Sequence, residues 1–261
     1  DWLAKGYLAV DLFFILSGFV IWYNYAPRIR QGGAAETRLF LWRRFARVWP
    51  LHAFILAGFI GFAALLLATG RDMAGYPLAE LPLHILLVQN WGVTSELTWN
   101  HPAWSISTEL AAYLLFPAVV LLARWEDWPD WALLMLAAAL ALCVHLIFAA
   151  SGHTALGEDI AGLGLWRCLP EFAMGMILCI LWQRWQAAPR AAPLALLAGL
   201  AWGAGGIMLG LPETALVPPV FFALLLALAL ARPATPRPRR DRVRTAPGGA
   251  SYSTSLAPVP L

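Results

Sequence analysis

An all-α fold, a polytopic transmembrane helix bundle of about seven to eight spans, is what this sequence predicts. Three observations lead there. Of its 261 residues, 61% are hydrophobic and only 13% are charged, whereas a soluble domain is nearer one quarter charged. With a mean hydropathy of +0.67, water could not solvate such a surface. Seven stretches are long and apolar enough to cross about 30 Å of hydrocarbon at 1.5 Å per helical residue. The 14 tryptophans agree, because indole favours the membrane interface.

The predicted spans run over 7–25, 49–69, 104–123, 131–150, 166–183, 193–211 and 216–231. Residues 81–90 are apolar but short. They read as a re-entrant or interfacial helix, or as a strongly tilted eighth span. Cytoplasmic loops should carry Lys and Arg. If 7–25 runs from outside to inside, loop 26–48 with its six arginines is cytoplasmic. So are Arg124, Arg184, Arg190 and the basic tail that starts at Arg232, placing 15 of the 18 basic residues inside. The outer side then holds Lys5 and Arg71. This organisation divides the chain into a transmembrane domain over 1–231 and a basic, Pro-rich tail over 232–261. The start of the first span on the outer side leads us to expect one more span before residue 1.

Composition also excludes. A net charge of +3 implies no nucleic-acid partner. Cys143, Cys168 and Cys179 lie in apolar stretches without a CxxC pair and read as small buried hydrophobes. No pair of histidines has metal-ligand spacing, so no metal is expected. There is no Gly-rich phosphate loop, no GxSxG elbow and no internal repeat.

Four segments carry chemistry. In the first, Asp11, Phe14 and Gly18 share a helical face, and Gly18 would let another helix approach closely. In the second, Arg43 and Arg44 fall within one turn of Arg47. Guanidinium groups grip phosphate in a forked geometry, so this block is either a phosphate site or a topology anchor. In the third, Pro102 precedes a helix start and Ser105 stands one turn before Glu109, with Tyr113 and Phe116 on the same face. A charged residue at a helix centre costs roughly 2.5–3.5 kcal/mol to insert. Glu109 therefore has a partner or a task. Asp11 and Glu109 are expected at similar depth, in a polar chamber open to the outside. In the fourth, Arg167 and Glu171 stand four residues apart and should neutralise each other, and Pro170 should kink or begin that span. His101 is the histidine nearest this cluster and a candidate base.

Three blocks, Val10 to Phe19, Arg43 to Pro50 and Trp104 to Glu109, resemble in order those of the membrane-bound acyltransferase 3 family, whose members O-acylate cell-surface glycans. Arg167 to Gly175 and Ser251-Tyr252-Ser253 resemble two weaker elements. The resemblance implies an acyl-CoA co-substrate, commonly acetyl-CoA, held from the cytoplasm by Arg43, Arg44 and Arg47 with Trp104. It implies a carbohydrate acceptor at the outer side of the inner (plasma) membrane. Phe14, Ser17, Gly18 and Tyr113 would line the channel between them. The family's expected base is a histidine, paired with an arginine, in a helix that would precede residue 1. Within this chain the catalytic candidates are Glu109, Ser105 and Asp11. Pro258 stands about where a late histidine is usual, so the tail departs from the family. A transporter or flippase using the same acids, and an inactive scaffold of the same fold, stay open as rival readings. Oligomeric state is not readable from the sequence.

Overall fold

The computed structural model describes residues 2–231; the predicted tail, with Ser251 to Ser253 and Pro258, lies outside the described residues. It contains α1 (Ala9–Ala68), α2 (Leu81–Leu86), α3 (Ala103–Leu122), α4 (Asp130–Ala150), α5 (Ile160–Trp185), α6 (Ala191–Met208) and α7 (Glu213–Ala231). No strand occurs among the described residues. Six of these helices are long and apolar enough to cross a membrane. Because α1 folds into two arms at Gly33, they form seven long helical segments.

The 60-residue α1 corrects the expected loop over 26–48. The helix continues through it and breaks only at Gly33, with φ 54° and ψ −131°. The segment after Gly33 is dense in strong helix formers such as Ala34, Ala35, Leu41 and Arg44. Its prolines, Pro27 and Pro50, stand outside that stretch. Gly33 is the one position where a residue without Cβ can take the reversing conformation. The arms, 9–32 and 34–68, run antiparallel: the Tyr25 and Phe40 rings pack 4.9 Å apart, and Arg44 Nη2 donates to the Tyr25 hydroxyl at 2.7 Å.

One open alternative closes and one expectation shifts. The six residues of α2 reach about 9 Å, too short to cross, so 81–90 does not span. Helix α5 starts earlier than residue 166, because Asp159 caps it by accepting from the Gly162 amide at 3.0 Å. Pro170 therefore lies inside α5.

Helix α5 is the centre of the bundle and packs against α1, α3, α4 and α7. Its crossing with α1 is backbone against backbone. A Cβ added to Gly18 would stand 1.9 Å from the Phe172 carbonyl oxygen, and one on Gly175 1.9 Å from that of Ile15. About two turns away, Arg167 forms an ion pair with Asp11, both fully buried. The guanidinium also donates to the Leu156 carbonyl at 2.8 Å and to that of Tyr7 at 3.0 Å. This corrects the expected Arg167–Glu171 neutralisation. Asp11 faces Arg167 across the helix crossing, while the carboxyl oxygens of Glu171 take no hydrogen bond. Cys168 and Cys179 are buried as expected, whereas Cys143 is exposed, since α4 turns that face outward.

Segment 69–102 caps the second arm of α1 and the start of α3. His52 Nε2 meets the His84 carbonyl at 2.8 Å, His84 Nε2 meets Thr98 Oγ1 at 2.9 Å, and Thr98 donates to Glu80 at 2.7 Å. The Asn90 amide donates to Ser107 Oγ at 3.2 Å, and Trp91 Nε1 to the Ser107 carbonyl at 2.9 Å. These bonds fix the first turns of α3. Basic residues gather at the bundle end that carries the Arg30–Glu126, Arg124–Asp127 and Arg184–Asp130 pairs.

Replacing Gly18 or Gly175 by Ala should lower the melting temperature in detergent, through an overpacking cost of about 1–3 kcal/mol. Gly58→Ala, with open space around it, should leave it within error. Burial pushes the buried His84 imidazole down to about 4, against the pull of Glu80 and with smaller pushes from His52 and His101. The unfolded chain then binds a proton near pH 6.5 that the folded chain refuses. Stability is intact above pH 6.5 and falls as the pH drops towards 4, by about 2 kcal/mol at pH 5. Melting curves at pH 7 and 5 should show this slope, and His84→Gln should flatten it.

Candidate active site

The reversal at Gly33 brings the second arm of α1 alongside its first arm and α3. Where the three helices meet, a cavity of about 400 Å³ opens. Its polar lining is Ser17 from the first arm, Arg44 and Arg47 from the second, and Ser105, Glu109 and Tyr113 from α3. Val10, Phe13, Phe14 and Val20 supply apolar wall. The sequence placed the arginines beneath the membrane and Glu109 towards the outer side. The structure corrects this separation. With 26–48 helical and folded back, Arg44 and Arg47 climb into the cavity that holds Glu109.

Glu109 is half-buried and accepts a short hydrogen bond from Ser17 Oγ. Ser17 Oγ stands 3.4 Å from the Tyr113 hydroxyl, so one carboxylate and two hydroxyls converge. Among the described residues Glu109 has no ion-pair partner within 4.0 Å. Arg44 is held by aromatic faces: its guanidinium lies 4.9 Å from the Tyr25 ring centre and 6.0 Å from that of Tyr113, a geometry that attracts a cation. Its Nε is buried and has no hydrogen-bond partner among the described residues. Behind this wall, Phe40 packs on Phe116 at 5.2 Å and on Tyr113 at 6.1 Å.

The other residues singled out in the sequence fall in different places. Asp11 does not line the cavity; its carboxylate is taken up by Arg167, which removes it from the expected outer chamber. Ser105 reaches the cavity, but its hydroxyl donates to the Pro102 carbonyl at 3.2 Å and Glu109 is bonded by Ser17 instead. Arg43 is exposed and lines neither this cavity nor the groove beside it. Trp104 is buried, edge-on to Phe14 at 5.9 Å and beneath Arg167 at 5.5 Å. Gly18 serves the helix crossing. His101 lines a separate small polar cavity with His84, Gln89 and Asn90. Tyr25 was missed from the sequence, since nothing in its local spacing reveals that Arg44 returns to it. Among the described residues, no group of three His, Cys, Asp or Glu side chains is placed to hold a metal ion.

Chemically, the cavity offers a carboxylate able to accept a proton, hydroxyls that orient it, and guanidinium groups able to meet negative charge.

Comparison with known proteins gives this arrangement a family. A family model described as an acyltransferase domain matches residues 4–256. Acyltransferase MdmB of Streptomyces mycarofaciens is 34% identical over 234 residues, covering 83% of this chain and 55% of that protein. Protein 2 in picA locus of Rhizobium radiobacter is 48% identical over 54 residues, 21% of this chain and 28% of that protein. A Staphylococcus aureus (strain COL) protein named "Putative O-acetyltransferase SACOL0978" is 24% identical over 199 residues, 70% of this chain and 31% of that protein. The chain thus spans about half the length of the first of these relatives and less of the others. No solved structure matches it. With a multi-pass helical bundle and a family match over nearly its whole length, the chain belongs to the acyltransferase family defined by that domain.

Proposed function

We propose that this chain forms the acyl-transfer centre of an enzyme of the plasma membrane. The enzyme moves an acyl group, acetyl above all, from acyl-CoA to a hydroxyl of a cell-envelope carbohydrate. The observation that carries this reading is the shared cavity: Glu109, bonded by Ser17, faces a space that Arg44 and Arg47 also line. The acyltransferase and O-acetyltransferase names of the relatives support the reaction class and the oxygen acceptor. The acyl-CoA donor and the carbohydrate acceptor rest on the motif resemblance.

In this reaction the acceptor hydroxyl displaces the Ser17 hydroxyl at Glu109. Among the residues of this chain, Glu109 is the group placed to take the hydroxyl proton as the oxygen attacks the thioester carbonyl. The oxyanion that forms is met by Arg44, whose Nε is free to donate, and by Arg47. Collapse breaks the carbon–sulfur bond, and the proton passes from Glu109 to the departing thiolate. The products are the ester and the free thiol, and Glu109 returns to its carboxylate. Tyr113 and Ser17 orient the carboxyl group between turnovers. Lipid-facing walls keep bulk water from competing as acceptor.

In the full-length enzyme, Glu109→Gln should lower acyl transfer by about 10²–10⁴-fold while leaving membrane insertion and melting temperature in place. Acceptor acetylation equal to wild type would remove Glu109 from the chemistry. Arg44→Ala and Arg47→Ala should each lower kcat/KM for acetyl-CoA by about 10–10³-fold, whereas Arg43→Ala should stay within about threefold of wild type. Equal losses at all three positions would show a general charge effect instead of a positioned one.

A further inference from the structure

A second hollow, of about 830 Å³, runs along the second arm of α1 towards the basic end and meets the catalytic cavity. Arg44 and Tyr113 belong to the walls of both. From there the groove follows Phe45, Leu41 and Leu114 to Arg38. Its floor is apolar, and among the described residues its only charged lining residues are the two arginines. Arg38 is exposed at the far end. Trp42 at the rim is 65% exposed, with its indole stacked on Phe45 at 6.1 Å. Six residues separate Arg38 from Arg44, and ten separate Arg38 from Val48 in the catalytic cavity. That corresponds to about 9 Å and about 15 Å along the helix.

This shape asks for a particular ligand: a long thin arm, largely uncharged, with an anionic group at one end and the reacting carbon at the other. An acyl thioester of coenzyme A has that design. We propose that the groove seats the pantetheine arm of the acyl donor, that Arg38 holds a phosphate of the nucleotide end, and that Trp42 offers its face to the adenine. The inference rests on the acyl-transfer reading above and extends it. Arg44 and Arg47 then serve the thioester end of the donor, and the phosphate contact moves to a residue outside the Arg43–Arg47 block. The arginine fork suits phosphate, and an exposed indole stacks a base without hydrogen-bond readout. The groove ends at the basic side of the bundle, so the donor's charged head stays out of the hydrocarbon while its acyl carbon reaches Glu109. Among the described residues no carboxylate pairs with Arg44 at the junction, where the thioester oxygen would arrive.

The test compares two donors, acetyl-CoA and S-acetylpantetheine, which lacks the phosphates and the nucleotide. It uses the full-length enzyme in nanodiscs. Wild type should prefer acetyl-CoA, and Arg38→Ala should narrow that preference by about tenfold, with Arg38→Lys in between. Leu114→Trp, which fills the groove, should lower kcat/KM for both donors and keep their ratio. An unchanged ratio in Arg38→Ala, or an equal loss with both donors, overturns the assignment. So does a fall in copurifying anionic phospholipid at an unchanged ratio, which would make the groove a lipid seat. If wild type transfers from neither thioester, the acyl-transfer reading itself falls and takes the groove assignment with it.

Discussion

The contact between α1 and α5 is the constraint on which the rest of the molecule depends. Two glycines let the helix backbones touch, and a buried Arg167–Asp11 pair stands beside them. In hydrocarbon there is little hydrophobic gain from bringing two apolar helices together, so close backbone packing and polar bonds must supply the association. The guanidinium uses two of its three remaining donors on the carbonyls of Tyr7 and Leu156. A buried ion pair holds only when its other polar sites are also satisfied. With α5 at the centre, the depth of the first arm of α1 is set, and with it the height of Ser17.

The active-site geometry is then a matter of two further alignments. The hinge at Gly33 sets how far the second arm climbs, and hence where Arg44 and Arg47 stand. The 69–102 cap, bonded through Asn90 and Trp91 to Ser107, sets the phase of α3 two residues before Glu109. Three segments distant in sequence meet at one carboxylate. None of the three bears the site alone.

Much of this was legible in the residues. Apolar runs marked α3, α4, α6 and α7 within a few positions, because lipid leaves a polypeptide few alternatives to a helix. Helices α1 and α5 extend well beyond their apolar stretches, since lipid does not limit a helix to its apolar part. Glu109 stood out because a carboxylate inside an apolar run is costly without a role. Gly18 was legible as a packing position from the face it shares with Asp11. Other features were hidden because they depend on distant partners. Arg167 has a carboxylate four residues away in Glu171, and local spacing favoured that pair; the tertiary crossing offered Asp11 instead. The stretch 26–48 looked like a loop because it is charged, yet the part after Gly33 is dense in good helix formers and the helix breaks only at Gly33. Once that stretch is helical and folded back, the arginines move from beneath the membrane to the side of Glu109. Ser17, legible as a channel residue, proved to be the direct partner of that carboxylate.

The long second arm of α1 also works as a ruler. From the hinge to Arg44 the backbone is an uninterrupted helix, and each residue turns it by about 100°. One amino acid gained or lost between Gly33 and Arg44 would turn both guanidiniums by about 100° away from their present position in the cavity wall and shift them by about 1.5 Å. No side-chain rotamer could restore them. A loop joining two helices can absorb such a change, but this stretch must keep its count. Length polymorphism among natural homologues should therefore stop at this segment, even where the letters themselves vary freely.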